Sequence, residues 1–166
     1  LQTGSWDTSR IDLVCDIVNI PESDASFDVI LCSEVFEHLP DALKALDEFA
    51  RLLKPGGKLI LTVPFASLVH FAPYHYTSGF SRYWYEYHLP LRNFLIQELT
   101  PNGDWFSVTK QEMLRLPTMA RRYGDWGWPL AYIVAIMGLA YFSIRGKSPA
   151  AVDVSCFGWH CIAVKK

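Results

Sequence analysis

The sequence has no excess of positive charge, and this absence narrows the functions to consider. Its 15 lysines and arginines are outnumbered by 17 aspartates and glutamates, which gives a formal net charge of −2. A nucleic-acid partner usually requires a basic face, so we expect none. The chain also lacks internal repeats and low-complexity linkers. Because 166 residues with 51% apolar side chains suffice for one core, we expect a single domain over 1–166.

Cysteine is scarce, and no two cysteines form a CxxC pair. The four cysteines stand in or beside apolar runs, at positions 15, 32, 156 and 161. This usage predicts small buried residues in a reduced, cytoplasmic setting rather than a disulfide framework.

The N-terminus has no basic patch followed by an apolar stretch, so we expect no secretion signal. It begins with leucine, which leaves processing or truncation open.

Two apolar runs separated by a helical pattern form the clearest feature of the chain. Residues 27–32 are nearly all apolar, as in a parallel strand covered on both faces. Asp41 can cap a helix that continues through Leu53, and the Lys-Pro-Gly-Gly turn at 54–57 ends it. A second apolar run follows over 58–64. This order predicts a parallel βαβ unit.

Further elements are predicted on both sides of this unit. Residues 11–17 (IDLVCDI) form a short run rich in β-branched side chains, which predicts a strand that leads into a loop. Later in the chain, the patterns predict a strand over 93–99, an amphipathic helix over 105–123 interrupted near Pro117, and a final strand or hairpin over 152–164.

An apolar helix is predicted over 126–146, because 126–144 carries no charge and the part from Pro129 onward is almost wholly apolar. This length is close to the lower limit for a membrane span. We expect a buried helix packed on the sheet, with an interfacial helix and a true span as alternatives. A span would put residues 152–164 across the bilayer from the strands that they should pair with.

The order of these elements resembles one known family. The stretch CDIVNIPESDASFDVILCSEVFEHLPDALKALDEFARLLKPGGKLILTVPF, from Cys15 to Phe65, resembles the central portion of class I methyltransferases that use S-adenosyl-L-methionine (SAM). The resemblance implies an α/β fold with a three-layer, Rossmann-like sheet that is mostly parallel and has a final antiparallel strand.

The resemblance also implies a cofactor site at the carboxyl ends of the strands. It assigns to Asp16 the hydrogen bond from the adenine amine, with Ile17 packing on the adenine. It places Cys32, Ser33 and Glu34 along the methionine portion and the methyl group. The alternative roles are turn formation for Asp16, and turn and helix-start chemistry for Ser33 and Glu34.

The glycine-rich start of the family has no counterpart here. None of the ten glycines forms a GxGxG loop after a strand, and only ten residues precede the 11–17 run. The first strands of the family's sheet are therefore missing, and the family's first strand would lie between 11–17 and 27–32. Either the chain is a truncated piece, or a second chain or segment completes the sheet, because unpaired buried backbone groups are costly. We expect this chain by itself to bind the cofactor weakly or not at all.

The aromatic segment 66–92 lies where the family shapes its acceptor pocket. Aromatic walls with a few polar tips suit a ring, a sugar or a lipid-like head. His70 or His75 could take a proton from the acceptor as the catalytic base, and Arg82 could hold a carboxylate or phosphate. The substrate-binding candidates are Tyr74, Arg82, Tyr83 and Trp84, with packing as the alternative role.

No metal site is predicted, because His70, His75, Glu86 and His88 have no recognised ligand spacing. For the Glu37–His38 pair we expect a structural role at the start of the helix.

Two hypotheses for function follow. The first is a SAM-dependent methyltransferase that acts on a small-molecule or lipid-linked acceptor. The second is a non-catalytic scaffold or interaction module of the same fold. A third class, a membrane-anchored protein whose segment 126–144 is the anchor, stands beside these two, and a peripheral membrane contact through the apolar helix is compatible with both.

Overall fold

The structure, a computed structural model, describes residues 7–145 and 148–166. Two short ranges lie outside this description. Residues 1–6 belong to the N-terminus for which we expected no secretion signal, and residues 146–147 include the last residue of the predicted apolar helix. Across the described ranges the elements are β1 (Phe27–Ser33), α1 (Ala42–Leu52), β2 (Leu53–Pro64), α2 (Arg82–His88), β3 (Phe94–Asn102), α3 (Trp105–Arg122), α4 (Trp128–Arg145) and β4 (Gly158–Lys165), with short 3₁₀ helices at Phe36–His38, Pro90–Arg92 and Pro149–Asp153.

The four strands form one mixed sheet in the order β1-β2-β4-β3. β1 and β2 run parallel, with Ser33 opposite Thr62, and β2 and β4 run antiparallel, with Pro64 opposite Gly158. The predicted α/β fold, with a parallel βαβ unit and an antiparallel final strand, is therefore confirmed. β4 lies inside the sheet although it is the last described strand in sequence.

The βαβ unit forms for the local reasons that the sequence indicates. The Asp41 carboxylate accepts a hydrogen bond from the Lys44 N–H at 3.1 Å and caps α1. Leu46 and Phe49 on one face of the helix are buried. At the far end, Gly56 adopts a φ of +79° in the predicted turn, a conformation that favours glycine. The parallel pairing skips from Leu53 to Lys58 across this turn, which makes it an irregularity within β2.

The sheet buries alternate side chains of β2, among them Leu59, Leu61 and Val63. In β1, by contrast, Phe27, Val29 and Leu31 are exposed. The prediction that this strand is covered on both faces is therefore wrong for the described chain. Side chains alternate between the two faces of a strand, so one covered face leaves every second apolar residue in contact with solvent.

The predicted strand at 11–17 is also wrong. The segment is an exposed loop whose only pairing is an isolated bridge between Asp16 and Asn19. A β-branched sequence forms a strand when a neighbour completes its ladder, and in the described part of the sheet β1 pairs with β2 alone. Cys15 lies in this loop and is exposed, contrary to the expectation of burial, whereas Cys32, Cys156 and Cys161 are buried.

An ionic network holds the end of this loop on α1. The Arg51 guanidinium donates to Glu48 at 2.7 and 2.9 Å and to the Ile20 carbonyl at 2.9 Å. The Ile20 N–H in turn donates to the Glu48 carboxylate at 2.7 Å. Hydrogen bonds from Arg51 lower the pKa of Glu48 below its ordinary value, so the ion pair persists at neutral pH.

The chain divides into two compact units, residues 1–100 with 158–166 and residues 101–157. In the second unit, Asp104 caps α3 by accepting from the Ser107 N–H at 2.8 Å. α3 then continues to Arg122 with Pro117 buried inside it, so the predicted interruption is wrong. The helix accommodates the ring of Pro117 at the cost of a main-chain hydrogen bond.

α4 packs against α3 within the second unit. Gly138 permits the approach, since a Cβ there would lie 2.9 Å from the Met113 sulfur. The Phe142 ring also contacts the rings of Trp105 and Phe106.

The prediction that the apolar helix is a buried core helix is nevertheless wrong. Apolar side chains lie all around α4, so one neighbouring helix cannot cover them. The exposed large members are Trp128, Leu130, Tyr132, Ile133, Val134, Ile136, Met137, Tyr141 and Ile144. Among the helices of the described chain, none is long and apolar enough to cross a membrane.

Candidate functional site

The carboxyl ends of the parallel pair are joined by a hydroxyl network around Thr62. The Thr62 hydroxyl donates to the Glu34 carboxylate at 3.0 Å, and the Ser33 hydroxyl lies 2.7 Å from the Thr62 hydroxyl. Because the Thr62 proton is already used, Ser33 must donate in the second bond. The Glu34 N–H also donates to the Thr62 carbonyl at 2.8 Å. Side-chain and backbone bonds therefore fix the turn after β1 on the end of β2.

Glu34 adopts a left-handed backbone conformation, with a φ of +53°. This region is uncommon for residues other than glycine, and strained residues of this kind cluster at functional sites. The bonds to Thr62 hold the conformation in place. The turn thus presents a preorganised backbone at the position where open α/β sheets bind their ligands.

Cys32 closes the base of this turn as a buried thiol. Burial, and secondarily the negative charge of Glu37, raise the pKa of Cys32 to about 12. The group is therefore a protonated thiol at neutral pH and lacks the thiolate character of a nucleophile. The Cys32 side chain can therefore contribute to a binding site by packing, not by reacting.

Asp16 and Ile17 lie in the loop after residues 11–15. The Asp16 carboxylate accepts from the Val18 N–H at 3.1 Å, and the Asp16 carbonyl accepts from the Asn19 N–H at 3.0 Å. Asp16 therefore forms a turn, which is the alternative role that the sequence analysis left open for it. The Asp16 side chain is exposed, and within residues 7–145 and 148–166 no hydrogen bond joins it to the Cys32–Glu34 turn.

A surface cavity of about 270 Å³ opens between the start of α1 and the aromatic segment. It is lined by Leu39, Pro40, Asp41, Ala42, Leu43, Tyr76, Thr77, Phe80 and Trp84. Trp84 was among the predicted substrate-binding residues and Tyr76 was weighed between pocket and packing, whereas Thr77 and Phe80 were missed. Their signal in the sequence is the aromatic density of the segment, which does not say which rings face inward.

The other predicted acceptor-side residues lie outside this lining. Arg82 donates to Glu86 at 2.8 and 3.0 Å, four residues along α2, and its guanidinium lies 5.9 Å from the centre of a Trp159 ring. Tyr74 and Tyr83 are exposed.

His70 and His75 meet at a second site together with Glu37 and His38, and we name these four residues the histidine cluster. The ligand atoms of the three histidines all lie within 4.8 Å of one another. The Glu37 carboxylate lies 3.7 Å from His38 Nε2 and 3.8 Å from His70 Nε2. The sequence did not indicate His38 as a partner, because more than thirty residues separate it from His70.

Comparison with known proteins identifies the segment that carries the Cys32–Glu34 turn. Residues 5–61 match the methyltransferase domain family. Ubiquinone biosynthesis O-methyltransferase of Xylella fastidiosa is 40% identical over 62 residues, which are 37% of this chain and 24% of that protein. The chain thus spans about a quarter of the length of the curated relatives that it matches.

Two solved structures have the same fold. One comes from the complex of the Haloferax volcanii Trm112 methyltransferase activator, with a TM-score of 0.54 and 19% identity over 92% of this chain and 59% of that one. The cyclase SpnF has a TM-score of 0.52 and 18% identity, over 91% of this chain and 54% of its own. Residues 5–61 are therefore similar to the methyltransferase domain family, and the chain shares the α/β fold of these two solved structures.

Proposed function

We propose that this protein is a SAM-dependent methyltransferase and that the Cys32–Glu34 turn forms part of its cofactor site. The observation that carries the proposal is the preorganised turn, which the Thr62 network fixes at the carboxyl ends of β1 and β2. Methyl transfer from a sulfonium is an in-line displacement, so a rigid turn that positions the donor supplies much of what catalysis needs. The turn also lies inside the segment that matches the family.

In this proposal, Asp16 accepts a hydrogen bond from the adenine amine and Ile17 packs on the adenine. The exposed carboxylate of Asp16 supports the first role, since its bond to the Val18 N–H leaves further acceptor capacity. Ser33 and Glu34 face the methionine portion through their backbone groups.

The acceptor we propose is a small or lipid-linked molecule that carries a hydroxyl group. The name of the Xylella relative, an O-methyltransferase of ubiquinone biosynthesis, supports an oxygen acceptor. The cavity with Tyr76, Phe80 and Trp84 in its wall suits an aromatic ring or an apolar tail. His70 or His75 would take the proton from the acceptor oxygen, and Tyr74, Arg82 and Tyr83 would bind parts of the acceptor outside the cavity.

The second hypothesis is a non-catalytic scaffold. The absence of a GxGxG loop after a strand favours it. SpnF, which is named a cyclase, shows in addition that this fold does not determine the reaction. The two hypotheses differ in whether the Cys32–Glu34 turn binds the cofactor.

Titration with S-adenosylhomocysteine by calorimetry tests the proposal. We expect a form extended upstream of Leu1 to bind one equivalent and the 166-residue chain to bind weakly or not at all. Binding by neither form would overturn the methyltransferase proposal. Tight one-to-one binding by the 166-residue chain would instead contradict the expected weakness of the isolated half-site.

Substitutions at Asp16 test its assigned role in whichever form binds. We expect Asp16→Ala to weaken S-adenosylhomocysteine binding by about 10- to 100-fold, as for the loss of a hydrogen bond to a charged group. Asp16→Asn keeps the turn, because an amide oxygen can still accept from the Val18 N–H. If Asp16 only forms the turn, the Asp16→Asn variant will therefore bind as the native protein does. Asp12→Ala, which removes an exposed carboxylate in the same loop, is the matched control.

If the acceptor is lipid-linked, this proposal includes a peripheral contact between α4 and the membrane that holds the acceptor. The exposed apolar side chains of α4 form the surface that would enter the interface. Two residues before the helix begins, Trp126 is 92% exposed. Arg121 lies 5.6 Å from the Trp128 ring and Arg122 lies 5.9 Å from the Tyr123 ring. Aromatic and basic side chains of this kind are typical at the level of lipid headgroups.

Cosedimentation with vesicles that contain anionic lipid tests this contact. We expect Met137→Glu, which places a charge on the exposed apolar surface, to reduce the bound fraction by at least about tenfold, since a buried charge is costly in lipid. Thr118→Glu adds the same charge on an exposed position of α3 and should change binding little. Equal binding by the two variants, or no binding by the native chain, would rule out α4 as the contact.

A further inference from the structure

We infer that the histidine cluster binds a first-row transition-metal dication such as Zn²⁺. The ligands would be the imidazoles of His38, His70 and His75 and the carboxylate of Glu37. Two chain segments supply them: the 3₁₀ helix Phe36–His38 after β1, and the loop between β2 and α2. The inference does not depend on methyl transfer, and it excludes the base role proposed for His70 and His75 while metal is bound, because a ligating nitrogen has no lone pair left to accept a proton.

The distances between the ligand atoms of the cluster are close to those around a tetrahedral metal ion. Ligand atoms about 2.0–2.1 Å from a tetrahedral zinc lie about 3.3 Å from one another. Here the three histidine ligand atoms lie within 4.8 Å, and Glu37 Oε1 lies 3.7 and 3.8 Å from the Nε2 atoms of His38 and His70. A contraction of about 1.5 Å or less closes the shell. His70 has a side chain that is 47% exposed, so it has room for this movement.

The hydrogen bonds of two of the histidines determine which ring nitrogen carries the proton and which is free to bind a metal. His38 Nδ1 lies 2.5 Å from the Tyr74 carbonyl, and His70 Nδ1 lies 2.9 Å from the Leu68 carbonyl. A carbonyl can only accept, so each Nδ1 must carry the proton and donate. In the neutral ring, Nε2 then holds a free lone pair, and both Nε2 atoms lie toward Glu37. Metal-binding histidines usually have such a carbonyl partner on the second nitrogen.

Three further polar atoms of the cluster have no hydrogen-bond partner among the described residues. Both ring nitrogens of His75 are buried and, among the described residues, neither has a hydrogen-bond partner. The same holds for Glu37 Oε2, on a residue that is 1% exposed. A buried polar atom without a partner is costly and rare. A cation bound at the centre would satisfy one nitrogen of His75 and the charge of Glu37 together.

The ligand types select the class of metal. Imidazole nitrogens suit zinc, copper and nickel, whereas calcium and magnesium prefer shells made of oxygen. Three imidazoles and one carboxylate make a site of the zinc type, with a total ligand charge of about −1 that a dication overcompensates. Bound metal would join the loop carrying His70 and His75 to the 3₁₀ helix, and the Tyr76 N–H already donates to the Glu37 carbonyl at 2.9 Å beside it.

Competition with a chromophoric chelator tests the site in the metal-free chain. We expect one Zn²⁺ per chain, a rise in Tm with added Zn²⁺, and no competition from a large excess of Mg²⁺. Co²⁺ should give the visible absorption of tetrahedral coordination. Absence of zinc binding, or preference for Mg²⁺, would overturn the inference.

Variants separate this site from adventitious surface binding. We expect His70→Gln and His75→Phe each to weaken Zn²⁺ binding by more than about tenfold and to abolish the Co²⁺ spectrum. His160→Gln, which replaces an exposed histidine on β4, should bind as the native chain does. His70 is exposed, so its substitution tests the site even if a change at His75 prevents folding. Equal affinity in His70→Gln and His160→Gln would refute the assignment.

Discussion

Replacement of Leu61 by alanine is expected to lower the free energy of unfolding by about 2–5 kcal/mol, the usual cost of a buried leucine-to-alanine change. Leu61 is 0% exposed in the middle of β2, opposite Cys32 of β1 and Cys161 of β4. The sheet therefore surrounds the cavity that the substitution leaves, and the backbone ladders on both sides prevent its collapse. Urea denaturation followed by circular dichroism measures the change.

Leu31→Ala is the matched control for Leu61→Ala. Leu31 lies on β1 one position before the partner of Leu61, but it is 68% exposed. We expect its substitution to change the free energy of unfolding by no more than about 0.5 kcal/mol, as at most surface positions. Equal losses for the two variants would mean that the face of β1 carrying Leu31 is covered in solution.

Gly79→Ala is expected to destabilise the protein by about 2–6 kcal/mol, through backbone strain and overpacking together. Gly79 has a φ of +138°, and a Cβ there would lie 2.6 Å from the Pro64 carbonyl carbon. The next residue, Phe80, donates its N–H to the Pro64 carbonyl at 2.9 Å. The close approach of Gly79 thus fixes the loop between β2 and α2 on the end of β2. Thermal and urea unfolding measure the loss.

Gly56→Ala separates the two causes. Gly56 also has a positive φ, +79°, but a Cβ there meets no atom within 4 Å. Its substitution should therefore cost about 1–2 kcal/mol, from the left-handed conformation alone. If Gly79→Ala costs no more than Gly56→Ala, the steric contact with Pro64 does not contribute.

The parts of the fold that the sequence predicted are those with local causes. Asp41 caps α1 through a residue three positions away, and the Pro-Gly-Gly turn forms where it was predicted, although it lies within β2 and α1 ends before it at Leu52. Strands β2 and β3 also formed where apolar runs indicated them. The family resemblance predicted a cofactor site at the turn after β1, and this role stays a prediction. Its fixation by Thr62 was not predicted, because a hydroxyl partner nearly thirty residues away leaves no local pattern.

The failures have non-local causes. Residues 11–17 have the composition of a strand, yet a strand requires a neighbour, and composition does not supply one. The apolar sequence of α4 predicted burial, but burial depends on how many elements surround a helix. The histidine cluster was missed for a third reason: His38, His70 and His75 follow no metal-ligand spacing, and the fold alone brings them together.

The position of β4 inside the sheet has a consequence for how the protein is made in the cell. β2 and β3 leave the ribosome well before Gly158–Lys165, yet both pair with that strand. Until translation reaches it, the nascent chain carries two unfinished strand edges of the kind that chaperones bind and that promote misassociation. A premature stop codon shortly before Gly158 would leave β1 paired with β2 but would leave β3 without the strand that joins it to the sheet. Such truncated products are expected to be degraded rather than to accumulate with partial function.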